Sequence, residues 1–149
     1  MNNTSTPVPE AAEPSVAVLN QVLLIYDNRQ LELINPGSHR IDVSSLVFVQ
    51  RGTQTRQFET SQWRLPQMSN PPDALAPGTC YQTTMSDEQG LPNTFSECQV
   101  RSAWIRTGLA GWFWVAPDDG SASSFEVLSG DKTIATCTIA NGRCEFALP

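Results

Sequence analysis

Residues 124–148 read SFEVLSGDKTIATCTIANGRCEFAL, and their punctuation decides how the rest of the chain is read. Gly130-Asp131 separates two runs rich in β-branched and aromatic side chains, which is the signature of a two-residue hairpin turn. The spacing predicts Val127 opposite Ile134 and Phe125 opposite Thr136, with that face turned inward. A second turn follows at Asn141-Gly142, again between strand-like runs. A loop from Ile139 to Gly142, with Gly142 in the left-handed conformation, sets Cys137 directly opposite Cys144 in a further hairpin.

That juxtaposition makes Cys137 and Cys144 a local disulfide pair, and Cys80 with Cys98 the second such pair among the four cysteines of the chain. Four cysteines allow three connectivities, and proximity in sequence favours these two. In the chain-entropy picture each loop contributes about 2 to 3 kcal/mol of stability. Neither pair has the Cys-x-x-Cys spacing of a zinc ribbon or a thiol-redox motif, and His39 is the only histidine, so metal is not expected. Disulfides persist in oxidising compartments, which points to an extracytoplasmic protein: secreted, periplasmic or on a cell surface. No hydrophobic signal segment follows Met1, so export calls for a leader outside this chain.

The 149 residues suit one domain with room for a core. Residues 1–17 (MNNTSTPVPEAAEPSVA) lack periodicity and large apolar side chains and read as a Pro/Ser/Thr-rich tether, or equally as a frayed terminus. Residues 18–149 then form the domain. The tether suits display away from a membrane, to which a segment absent from this chain would attach it. Nine basic against fifteen acidic residues give a net charge of −6, and the basic residues are scattered, so a nucleic-acid surface is not expected. Apolar runs such as Val22 to Tyr26 are too short to cross a bilayer as a helix.

Beyond the tether, short runs of Val, Ile, Leu, Phe, Trp and Thr alternate with Pro, Gly, Asn and Asp, and no helical stripe appears. The pattern predicts strands at Gln21–Tyr26, Gln30–Ile34, Ile41–Val49, Arg56–Thr60, Thr79–Thr84, Cys98–Arg106, Trp112–Ala116, Ser124–Leu128, Thr133–Thr138 and Arg143–Leu148. Tight turns between so many strands indicate an all-β fold, a sandwich of two antiparallel sheets of the immunoglobulin-like kind.

One stretch carries a family likeness. Leu31-Glu32-Leu33-Ile34-Asn35-Pro36-Gly37-Ser38, followed by Ile41-Asp42-Val43-Ser44-Ser45-Leu46-Val47-Phe48, resembles the signature of lamin-tail-like, immunoglobulin-like domains. There, a strand ending in Asn turns and enters a strand of the "vdLsgw" type. Ser45 and Leu46 depart from that pattern, where the family has Gly and an aromatic residue. The resemblance implies an immunoglobulin-like accessory module of exported bacterial proteins and implies no catalytic residue.

Chemistry is sparse. His39 falls in the turn between two predicted strands with no thiol or Gly-x-Ser-x-Gly elbow nearby, and reads as a solvent-exposed turn residue. Asp87-Glu88 and Asp118-Asp119 precede Gly90 and Gly120 without the spacing of a calcium loop, and read as turn and solubility residues. The aromatic residues are more telling. Trp104, Trp112 and Trp114 cluster in the sequence, alternation puts Trp112 and Trp114 on one strand face, and Arg106 shares a face with Trp104. Exposed tryptophans stack on sugar rings or anchor protein partners, whereas buried ones only fill a core, and the pattern leaves both open. Two long polar loops, Leu65–Gly78 and Met85–Glu97, the second enclosed by Cys80 and Cys98, read equally as recognition surfaces or as loops restrained for stability alone. The expectation is a noncatalytic binding module, without cofactor, that recognises a protein or glycan through Trp104, Arg106, Trp112 and Trp114. The alternative is a structural or assembly subunit of a cell-envelope complex.

Overall fold

A computed structural model describes residues 20–149; the predicted tether at 1–17 lies outside the described residues. Nine strands carry the fold: β1 (Gln21–Tyr26), β2 (Gln30–Ile34), β3 (Leu46–Arg51), β4 (Thr55–Glu59), β5 (Thr79–Met85), β6 (Val100–Thr107), β7 (Ser124–Ser129), β8 (Lys132–Thr138) and β9 (Arg143–Ala147). They form a sheet of five in the order β6-β5-β2-β1-β9 and a sheet of four in the order β4-β3-β7-β8. All neighbours are antiparallel except β5 and β6, which run parallel. The two sheets pack face to face, so the all-β sandwich expected from the turn pattern is the architecture observed.

Period-two alternation explains which face is dry. Val22, Leu24 and Tyr26 of β1, Leu31 and Leu33 of β2 and Tyr81 of β5 point into the sandwich. Phe48, Phe58, Phe125 and Val127 answer from the other sheet. The phenyl rings of Phe48 and Phe113 stack with centroids 4.7 Å apart, and Phe125 meets Phe113 edge-on at 5.0 Å. Each such ring contributes roughly 1.5–3 kcal/mol by leaving water. Trp63, on a 3-10 turn after β4, closes one side by donating its indole N–H to the Gln82 carbonyl at 2.8 Å.

Several sequence expectations are corrected. Trp112–Ala116 is no strand: it follows the 3-10 turn Leu109–Gly111 as a second turn. Its carbonyls are taken by side chains rather than by a strand, since Gln50 Nε2 donates to Phe113 O at 3.0 Å and to Val115 O at 2.6 Å, and Arg56 Nη1 donates to Val115 O at 3.1 Å. The strand expected from Ile41 begins only at Leu46, Ile41 making a single bridge to Leu75. The hairpin β7–β8 turns at Gly130-Asp131, but a bulge between Val127 and Leu128 moves Val127 opposite Ala135 and Phe125 opposite Cys137. Finally, β8 and β9 do not pair. Gly142 has the left-handed conformation expected (φ 68°), yet the chain uses the turn Ile139–Asn141 to leave one sheet and join β1 in the other. The Cys137–Cys144 disulfide therefore links the two sheets instead of clipping a hairpin.

Candidate functional site

Both disulfides form with the pairing that sequence proximity favours, Cα–Cα 5.6 Å for Cys80–Cys98 and 5.7 Å for Cys137–Cys144, and no described cysteine is free. Such bridges fit an oxidising environment. Among the described residues no helix is long and apolar enough to cross a membrane.

Three features of the chain converge at one end of the sandwich. The β1–β2 turn contributes Tyr26, Asp27 and Asn28; the turn after Leu109–Gly111 contributes Trp114, Val115 and Ala116; the sheet-changing turn contributes Ile139, Ala140 and Gly142. Between them lies a groove of about 470 Å³. Close backbone approach builds its floor: Tyr26 N–H donates to Gly142 O at 3.0 Å, and a Cβ on Gly142 would come within 3.1 Å of Tyr26 O. Tyr26 itself is fixed by its hydroxyl donating to Thr138 O at 2.7 Å, and burial pushes its phenol up to about 12. The indole of Trp114 is 1% exposed and packs edge-on against Phe113 at 5.4 Å. Its N–H is itself buried and has no hydrogen-bond partner among the described residues, an unmet donor that costs about 1–3 kcal/mol in a dry site.

The predicted aromatic surface is thus divided. Trp114 is a groove wall, and Trp112 turns the other way, half-buried, with its indole N–H donated to Thr107 O at the end of β6. Trp104 and Arg106 do share a face of β6, the guanidinium carbon sitting 4.7 Å over the indole. Trp104 Nε1 donates to Thr84 Oγ1 of β5 at 3.0 Å, while Arg106 Nε donates to Glu88 O at 2.8 Å and is tied to the loop that follows β5.

That loop, residues 86–99, covers the outer face of the larger sheet. Phe95 packs there on Leu23, Ile25, Ile34 and the Cys80–Cys98 bridge, a second small core on the far side of the sheet from the main one. Within it lies Glu32 of β2, fully buried. Glu32 Oε2 accepts from Phe95 N–H at 2.9 Å and from Gln82 Nε2 at 3.3 Å, and Oε1 has no partner among the described residues. Gln82 also meets Gln30 and accepts from Arg101 Nη1 at 2.8 Å. Burial pushes the Glu32 carboxyl up to about 7, against the lowering effects of the Phe95 N–H and the Arg101 charge. A Glu32 carboxylate oxygen, Cys80 Sγ and Cys98 Sγ all lie within 4.8 Å of one another; with both sulfurs committed to the disulfide, the trio is not a set of metal ligands.

Sequence reasoning passes over Glu32, because alternation in Gln30–Ile34 assigns it to the face away from the core. Only the covering loop buries that face. Tyr26 is likewise read only as the last residue of a strand. His39 is exposed in its turn, with a ring nitrogen 3.0 Å from Ser38 Oγ. Glu88 pairs with Arg29 at 2.7 Å, and Asp119 caps the Ser121 N–H at 3.0 Å, which are the turn and surface roles expected of those acids. No family model, no curated protein and no solved structure matches this chain.

Proposed function

We propose that this protein is a noncatalytic, extracytoplasmic binding module, an immunoglobulin-like sandwich of the lamin-tail-like sort, that recognises a protein or glycan at the groove between Tyr26 and Trp114. The observation that carries this reading is the groove itself, where Tyr26, Val115, Ile139 and Ala140 from three separate connections line one concavity beside the buried Trp114. Small-molecule and peptide sites combine such apolar walls with few fixed polar groups. The apolar walls favour an apolar side chain of a protein partner over a sugar. The family reading is supported by Asn35, which ends β2 and holds the following turn by donating to His39 O at 2.8 Å and Leu75 O at 2.9 Å and accepting from Gly37 N–H at 2.9 Å. Disulfides at both ends of the structure support the extracytoplasmic placement.

The test is a screen of the purified protein against cell-envelope proteins and a glycan array, followed by Ala140→Trp, which fills the groove from an exposed position. The expected result is a ligand whose affinity falls about tenfold or more in that variant. A ligand indifferent to Ala140→Trp but lost in Trp104→Ala moves the site to the outer face. Silence on both panels defeats the binding reading.

One observation favours the alternative of an assembly subunit. Strand β6 is an edge strand, and Val100 on it is 55% exposed beside a free ladder edge of the kind that accepts a further strand. Sedimentation that shows only monomer up to high concentration, alone and with envelope extracts, removes that reading.

A further inference from the structure

We infer that the Cys80–Cys98 disulfide is an exchangeable one, opened by thiols at Cys98 Sγ, with the Glu32 carboxyl as the proton donor to the departing Cys80 sulfur. The geometry separates the two sulfurs by role. Cys80 is completely buried in β5, whereas Cys98 is 7% exposed at the end of the covering loop. An incoming thiolate therefore meets Cys98 first. Its attack forms a sulfur–sulfur bond to Cys98, breaks the bond to Cys80 and leaves the electron pair on Cys80 Sγ. That sulfur lies among Leu23, Ile25, Ile34 and Phe95, an apolar setting that penalises a thiolate and slows its departure unless a proton arrives.

Glu32 is placed to supply it. A carboxylate oxygen lies within 4.8 Å of both sulfurs, Oε2 is held by Phe95 N–H and Gln82, and Oε1 has no partner among the described residues and is the oxygen left to carry the proton. Once Cys80 holds the proton, a second thiolate attacks the external sulfur of the mixed disulfide, forming the external disulfide and releasing Cys98 as thiolate. The net change is two external thiols oxidised to one disulfide and the Cys80–Cys98 bridge reduced to two thiols. Reoxidation runs in reverse, with the Glu32 carboxylate taking the Cys80 proton. The co-reactant is a thiol or dithiol, either a small one or a cysteine pair of a protein.

The charged groups that bear on Glu32 are Arg101 from β6, Glu97 from the covering loop and Asp27 from the β1–β2 turn, and Glu97 is itself paired with Arg143 of β9 at 3.0 Å. Burial is the largest effect and the two acids add to it, together outweighing the lowering by the Phe95 N–H and Arg101, so the group holds a proton up to about pH 7. The Cys137–Cys144 bridge belongs to no comparable set of carboxylate and sulfurs among the described residues, and serves as an internal control in the same molecule.

The experiment is reduction of the folded protein by dithiothreitol without denaturant, each bridge followed by alkylation and peptide mass mapping. Cys144 is more exposed than Cys98, so overall rates do not separate the bridges; a rate per dithiothreitol thiolate that falls as pH passes about 7 is expected for Cys80–Cys98 alone. Glu32→Gln is expected to slow that bridge about tenfold and flatten the profile while leaving the other unchanged. A Cys80–Cys98 bridge that resists reduction in the folded state, or opens at the same rate per thiolate at every pH, overturns the proposal. Should Glu32→Gln fail to fold, the 13C carboxyl titration of Glu32 in the wild-type protein decides. A midpoint that moves on reduction supports the proton transfer, and an unmoved one refutes it.

Discussion

The two disulfides of this protein lie in opposite kinds of surroundings. Cys137–Cys144 spans the turn at which the chain changes sheets, and Cys137 faces the main core beside Phe125. Cys80–Cys98 spans the covering loop on the outer face, with a buried carboxylate and a glutamine cluster beside it. The first bridge joins layers that apolar burial already holds together; the second holds down a lid over polar groups that gain little from being dry. Identical covalent chemistry thus fastens a well-driven contact in one place and an ill-driven one in the other.

The largest expected effect comes from removing the second bridge. Cys80→Ala with Cys98→Ala, at a sequence separation of 18, loses about 3 kcal/mol from chain entropy alone in urea unfolding. Amide exchange should also rise at Phe95, whose N–H is then free to leave Glu32. A loss confined to global stability, with Phe95 still protected, would mean that the loop holds itself down. Next is the pH dependence set by Glu32. Its carboxyl binds a proton more tightly in the folded chain than in the unfolded one, so the folded state is favoured most below about pH 4.5. Stability from this group then falls as pH rises, by about 3 kcal/mol in all, and levels off above about pH 7. Urea midpoints at pH 5 and pH 8 should differ more in the wild type than in Glu32→Gln.

Cys137→Ala with Cys144→Ala, at a separation of 7, follows at roughly 2.5 kcal/mol, with amide protection around Phe95 intact. Melting of the outer loop in that variant would join the two regions into one cooperative unit. The smallest effect is expected from Arg143→Ala. Its ion pair with Glu97 sits in solvent at the lip of the outer face, and its loss should leave the unfolding midpoint where it was.

How far the sequence spoke depended on whether a residue's surroundings were local. Gly130-Asp131 and Asn141-Gly142 announced their turns because turn chemistry is a matter of neighbouring residues, and β1 and β2 were legible end to end from alternation. Trp112–Ala116 was not. Its apolar alternation looks like a strand, but Gln50 and Arg56, remote in sequence, take its carbonyls and fold it into a turn. The same limit hid both surfaces of interest. Trp104 and Arg106 could be paired by strand period, whereas the meeting of Tyr26, Trp114 and Ile139 depends on three separate connections arriving at one end. Glu32 was hidden by a cover that alternation cannot see. The switch of β9 to the other sheet was equally silent, since a hairpin and a sheet change share one turn sequence.

The parallel course of β6 beside β5 has an evolutionary corollary. Parallel neighbours cannot be joined by a tight reversal, so the chain must travel back along the sheet before β6 begins. Deletions there are constrained by that span. Exchanges at the crest near Leu91, which is well exposed, are not, because sulfur fastens the segment beside the start of each strand. Lineages carrying this scaffold have a cassette in which novelty can accumulate without the frame being renegotiated.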